Sequence, residues 1–147
     1  MNREAHTLFF LRHLRQFPQP YESQDINRVV IMFFCVQGLA VLDELKQIDP
    51  MMKKHLIEFI YSLQVHPDCR DKSINITQCG FRGSPWIGNA FFNGPREYES
   101  TTYDSAHIAS TYAALAILRT LGDDLTRVNK EAIVKALKLL QDTQIGR

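Results

Sequence analysis

Val29-Val30-Ile31-Met32-Phe33-Phe34-Cys35-Val36 is the stretch on which the fold turns. On periodicity alone, eight consecutive apolar residues read equally as a buried strand or a buried helix. Length separates the two. The apolar pattern runs on through Leu39, Ala40, Val41, Leu42 and Leu45 without a turn signal, so we read one helix over residues 26–46. Apolar residues on nearly every face predict that it is buried on all sides.

Working outward, the rest of the chain is helical as well. Residues 5–17 carry an apolar stripe of Leu8, Leu11 and Leu14 with Phe9, and Pro18 and Pro20 end it. Asp49 as N-cap and Pro50 at the first helical position open a third helix, which runs to Gln64. Its stripe is Leu56, Ile60 and Leu63, with Lys53, Lys54 and Glu58 off it. Residues 65–102 hold Gly80, Gly83, Pro85, Gly88, Gly94 and Pro95, a density that predicts loop. A loop of that length tends to carry function. The fourth helix is expected from Asp104, as N-cap, to Leu121, with Gly122 closing it at C′. Ala106, Ala109, Ala113, Ala114 and Ala116 give it a small face that a neighbour can approach closely. A fifth covers residues 130–141, capped by Asn129, with Ile133, Leu137 and Leu140 as its stripe.

An amphipathic helix followed by a more apolar one is thus used twice, and a third unit has only its first helix. Stacked units of this kind bury a continuous core only with neighbours present. The expectation is an array that stops short, at Ile145-Gly146-Arg147.

Composition narrows the function classes. The chain has 147 residues, and Leu, Ile, Val and Phe make up about 29% of them, above the level at which disorder is expected. A net charge of +1 gives no electrostatic footprint for nucleic acid. The longest unbroken apolar run is far too short for a membrane span. Met1-Asn2-Arg3-Glu4-Ala5-His6 lacks a secretory layout, and three cysteines, one of them inside the apolar run, suit a reducing compartment. The expected localisation is cytoplasmic.

Chemistry is sparse. Cys69 and Cys79 with His66 and His55 invite a zinc reading, but His66-x-x-Cys69 with nine residues before Cys79 fits no strong pattern, and free thiols are preferred. Asp123-Asp124 lacks a second acidic cluster and reads as a solvated turn rather than a magnesium–diphosphate site. Ser105 and His107, two apart, fall on different helix faces, which weakens a hydrolase reading. His107 reads as a pocket wall beside Ala109, and equally as a satisfied structural histidine. Asn75-Ile76-Thr77 is a sequon without secretory context. Tyr103, Tyr112, Phe33, Phe34, Phe91, Phe92 and Trp86 read as the lining of an apolar cavity or as core packing.

Four segments in order carry a resemblance. Phe59-Ile60-Tyr61-Ser62-Leu63-Gln64, Cys79-Gly80-Phe81-Arg82-Gly83-Ser84, the run from Tyr103 through His107 and Ala109 to Tyr112, and Gly122-Asp123-Asp124-Leu125-Thr126-Arg127-Val128-Asn129-Lys130-Glu131 resemble the beta subunits of type I protein geranylgeranyltransferases, within the protein prenyltransferase beta family. The resemblance implies an all-α fold, a partial α/α toroid, with residues 1–147 a single domain incomplete at its C-terminus. It implies a heterodimer with a helical alpha subunit, and geranylgeranyl diphosphate in a central aromatic cavity. There a zinc-bound thiolate of a C-terminal CAAX cysteine, in motifs usually ending in Leu, attacks the isoprenoid. By the same resemblance Phe34, His107 and Ala109 help form the pocket for CAAX side chains. Val30 stands where the family commonly has Thr, and Phe33 packs beside it. The family's zinc ligands and basic diphosphate-binding residues belong to later repeats, so no catalytic, cofactor or metal residue is expected in this chain, and no transferase activity from it alone. The alternative is a non-catalytic helical interaction module that binds the alpha subunit or a peptide.

Overall fold

The computed structural model describes residues 2–85 and 98–141. Among them are five α-helices: α1 (Arg3–Arg15), α2 (Arg28–Val41), α3 (Pro50–Ser62), α4 (Ile108–Thr120) and α5 (Lys130–Leu140). The third opens as its sequence dictates, with the Asp49 carboxylate accepting from Met52 N at 2.9 Å and Pro50 at the first position. Asn2 caps α1 by accepting from Ala5 N, and Asn129 caps α5 by accepting from Ala132 N.

The second helix is shorter than its apolar run. Residues 19–27 form a 3-10 stretch, and α2 stops at Val41 rather than continuing to residue 46. Asp43 takes the left-handed conformation at φ 56°, its N–H donates to Ala40 O at 3.0 Å, and Glu44 N donates to Leu39 O at 2.8 Å. This is a Schellman close, and short polar side chains tolerate its left-handed position. The fourth helix ends in the same motif: Gly122 has φ 78°, and Gly122 N and Asp123 N donate to Arg119 O and Leu118 O. The two apolar helices therefore share one terminator, written once with Gly and once with Asp.

Helix α2 packs between α1 and α4. The Arg3 guanidinium hydrogen-bonds to Leu42 O and the Phe10 ring lies against Gly38, so α1 runs antiparallel to α2. Three contacts show that α2 and α4 run parallel: Gly83, bonded to Val29, sits against Ser110; Phe33 meets Tyr112; and Gln37 donates to Thr120 at 2.8 Å. The third helix is antiparallel to α4, with Lys53 near Gly122 at one end and Arg82 N donating to Leu63 O near the other. Val29, Val36, Leu39, Ile60, Leu63, Phe81, Ala114, Ile117 and Leu118 fall to 0% exposure in this core. Full burial of each large aliphatic or aromatic side chain contributes about 1.5–3 kcal/mol before its ordering entropy. The amphipathic α1 thus packs beside the more apolar α2 and α3 beside the more apolar α4, the helix pairing expected from the sequence.

Burial of α2 on all sides does not hold, because Phe34 is 62% and Val41 86% exposed. Within the continuous helical stretch Gln19–Val41 an 18-residue window reaches a mean hydropathy of 1.2, long and apolar enough to cross a membrane by length and composition alone. Its C-terminal part, α2, packs against α1 and α4 and buries Val29, Cys35, Val36 and Leu39. The segment expected to be loop also contains order. Gln64–Val65 (β1) pairs antiparallel with Gly80–Phe81 (β2), and residues 76–78 form a 3-10 turn. Trp86, Phe91 and Phe92, read as cavity lining, lie outside the described residues.

Candidate functional site

Residues spaced at i, i+4, i+7 and i+11 lie along one face of a helix. On α2 that spacing joins Val30, Phe34, Gln37 and Val41, and on the parallel α4 the equivalent i, i+3, i+7, i+11 spacing joins Ala109, Tyr112, Ala116 and Thr120. The stripes are linked by the Gln37–Thr120 hydrogen bond and by Phe33, whose ring lies 5.6 Å from Tyr112 and 5.5 Å from Phe34. Phe34 and Tyr112 are each more than 60% exposed, so an open aromatic face lies on the pair. Of the residues singled out from the sequence, Val30 and Phe34 lie on the α2 stripe and Ala109 on the α4 stripe, whereas His107 precedes α4 and borders a small cavity with Thr111, Ile133 and Leu137. Val30 is half-buried in the first turn of α2, Phe34 follows one turn later, and His107 and Ala109 are exposed around the start of α4.

The start of α4 corrects one expectation and sharpens another. Asp104 is not its N-cap; His107 is, with Nδ1 accepting from Ala109 N at 3.2 Å. That bond requires the proton on Nε2, which leaves Nε2–H as the ring's donor. Asp104 instead is fully buried, accepts from Arg82 at 2.9 Å and takes the Tyr98 hydroxyl. Burial pushes the Arg82 guanidinium down and the Asp104 charge opposes that shift. The residues that fix the site are therefore ones the sequence reading left in a loop. Phe81 N donates to the buried Thr111 hydroxyl at 2.9 Å, and His107 N donates to Phe81 O at 3.1 Å. The signal available was Gly80 and Gly83 flanking an aromatic and an arginine.

Asp123 also differs from a merely solvated turn. It accepts the Tyr61 hydroxyl and Leu125 N, tying the turn after α4 to α3, and Arg127 adds a 2.6 Å pair with Glu58. Asp124 keeps the expected exposed role, accepting from Thr126.

The zinc reading of Cys69, Cys79, His66 and His55 finds no common site. Among the described residues no three His, Cys, Asp or Glu side chains come together as a metal would require. His66 and Cys69 border one cavity of about 280 Å³, and His55 borders a separate groove of about 500 Å³ between α1, α2 and α3. Cys79 is buried, with its thiol aimed at Asn75 O, 3.6 Å away. Burial pushes the Cys35 and Cys79 thiols up to about 11, while Cys69 is exposed. Reactivity follows the thiolate, so against an ordinary thiol these two start roughly 100-fold lower at neutral pH, before access is counted. One maleimide per folded chain, on Cys69, is the expected mass-spectrometric result, with the other two labelled only in denaturant. Prompt labelling of Cys35 or Cys79 in the folded chain would contradict the packing.

Comparison with known proteins places this geometry. The profile of the prenyltransferase alpha-alpha toroid domain matches residues 1–146. The Dictyostelium discoideum geranylgeranyl transferase type-1 subunit beta is 37% identical over 99% of this chain, which covers 42% of that protein. The Arabidopsis thaliana protein of the same name is 28% identical over 95% of the chain and 36% of its own length. The Arabidopsis protein farnesyltransferase subunit beta is 24% identical over 99% of the chain, which covers 24% of it. The chain thus spans less than half the length of these relatives.

Proposed function

The chain belongs to the prenyltransferase alpha-alpha toroid family, and on that premise we propose that it forms the first repeats of a type I geranylgeranyltransferase beta subunit. In this reading the whole subunit, paired with a helical alpha subunit in the cytoplasm, transfers geranylgeranyl from its diphosphate to the cysteine of CAAX motifs, usually those ending in Leu. The observation that carries the reading is the open face shared by α2 and α4. Val30, Phe34, Ala109 and Tyr112 offer apolar surface there, and His107, which caps α4, offers an Nε2–H donor near its N-terminal end. Such a face suits the aliphatic side chains of a CAAX peptide, with a polar group to orient the backbone.

Thiol activation and departure of diphosphate need strong local positive charge. We assign that chemistry to the part of the relatives' length that this chain does not span. The test is transfer from geranylgeranyl diphosphate to a CAAX-Leu peptide with zinc present. The chain, alone or with the alpha subunit, is expected to give no product, whereas the whole beta subunit with the alpha subunit is expected to be active. In that heterodimer Phe34→Ala should lower peptide kcat/KM by about 10-fold or more, the scale of a lost apolar contact. Zinc-dependent transfer by the chain alone, or an unchanged kcat/KM for Phe34→Ala, would overturn the assignment.

A second reading has one observation in its favour. Leu8 and Phe9 on α1, and Val134, Leu137 and Leu140 on α5, are exposed. Apolar surface of this kind seeks a partner. As a non-catalytic module the chain would co-purify with the alpha subunit and compete with the whole beta subunit. Failure to co-purify would remove this reading.

A further inference from the structure

Helices α2 and α4 carry the open face, yet neither supplies all of its own N-terminal hydrogen bonds. The first four N–H groups of a helix have no partner within it. Asn27, at the cap position of α2, makes no side-chain capping bond. The donor of the second residue, Val29 N, goes instead to Gly83 O at 3.0 Å. At the start of α4, Ala106 N donates to Gln78 O at 2.9 Å and His107 N to Phe81 O at 3.1 Å. One short segment therefore receives backbone donors from the entrances of both helices.

The same segment is wedged between them. Phe81 N donates to Thr111 Oγ1, one turn into α4. Arg82 N donates to Leu63 O, and its guanidinium reaches Asp104 and, at 3.4 Å, Ser62 O, which anchors the segment to the end of α3. Gly83 is the tightest point. A methyl group there would lie 2.3 Å from Ile26 O and 3.5 Å from the Ser110 hydroxyl. The first of these is backbone, which cannot rotate aside as a side chain would. With a fixed anchor on α3, any atom added at residue 83 must push the entrance of α2 away.

We propose that residues 80–83 act as a clip that sets the spacing of the open face, with Gly83 as its positioning residue. Residue 83 touches no substrate in this view. It fixes how far Val30 and Phe34 on α2 stand from Ala109 and Tyr112 on α4, and so which side chains the face accepts. The proposal rests on the reading of that face as a peptide wall, and its test separates the two.

The first readout is amide hydrogen exchange of the 147-residue chain. Gly83→Ala should raise exchange at Val29 and His107 about 10-fold or more, as expected for local opening, while Ile60 and Ile117 in the core stay protected. The second readout is peptide kinetics of the whole heterodimer carrying the same change. KM for a CAAX-Leu peptide should rise about 10-fold with kcat within about 2-fold, since displacement of a positioned wall weakens peptide binding. A variant that merely destabilised the fold would lower protection everywhere and reduce active protein without that split. Faster exchange at Val29 and His107 with KM unchanged upholds the clip and overturns the peptide wall. Unchanged exchange in a folded Gly83→Ala chain overturns the clip. Should Gly83→Ala not fold, Thr111→Val keeps the side-chain shape, removes the acceptor for Phe81 N and must give the same pair of changes, with faster exchange at Phe81. Its failure to do so would overturn the clip equally.

Discussion

Replacing Asp104 with alanine is expected to destabilise the chain by about 3–5 kcal/mol, read from the midpoint of urea unfolding. The magnitude follows from what the change leaves behind. Asp104 is 0% and Arg82 5% exposed, and their charged groups meet at 2.9 Å. Removing one partner of a buried ion pair takes away the counter-charge while the other charge stays buried, and that penalty is of this size. The Tyr98 hydroxyl loses its acceptor in the same step. Domains of this size hold roughly 5–15 kcal/mol in total, so a large part of the stability goes. A double replacement, Arg82→Met with Asp104→Leu, separates stranding from attraction. Apolar substitution of a whole buried pair is often close to neutral, so the double variant should be clearly more stable than Asp104→Ala. A loss below about 1 kcal/mol for Asp104→Ala would mean that the remaining partners of Arg82, Ser62 O among them, or water satisfy its charge in the folded chain.

Asp104 also shows where sequence reasoning stops. An acidic residue a few positions ahead of an apolar run is what an N-cap looks like, and nothing local reveals an arginine 22 residues upstream waiting to bind it. The true cap, His107, is an uncommon choice, usable because its Nδ1 can accept. Asp49 and Asn129 were legible because each caps its own helix with no distant competitor. The close of α4 at Gly122 was legible for a similar reason. That of α2 was not, since Asp43 performs the same turn without the glycine that announces it. Order of helices and their alternation between amphipathic and apolar could be read from period alone. Phe34 read as cavity lining or core and His107 beside Ala109 as a pocket wall from the residues themselves, and only the resemblance joined them with Val30, because isolated residues more than 70 positions apart declare no shared face. The common face of α2 and α4 appears only when the two are seen to run parallel, a tertiary fact carried by Gln37, Thr120, Phe33 and Tyr112.

Phe81→Ala is expected to cost about as much, roughly 3–5 kcal/mol, although its residue stands in a stretch whose glycines and proline read as loop. Its ring is 0% exposed and joins the main core with Ile60, Leu63, Ala114 and Ile117. Its backbone is equally committed, bonded on one side to Thr111 and on the other to His107. Truncation removes the ring's transfer free energy and leaves a cavity whose walls cannot collapse, because α3, α4 and the Arg82–Asp104 pair hold them apart. At about 2–4 °C per kcal/mol for a chain of this length, Tm should fall by roughly 10 °C. Phe81→Leu, which keeps most of the volume, should lose markedly less, and that ordering is the sharper check. Equal losses for Ala and Leu would show that ring shape rather than filled volume is what the core requires. A negligible loss for Phe81→Ala would place the ring outside the core altogether. Because the same residue links α2 and α4 through its neighbours, its truncation should also loosen the open face, raising exchange at the His107 amide together with the fall in Tm.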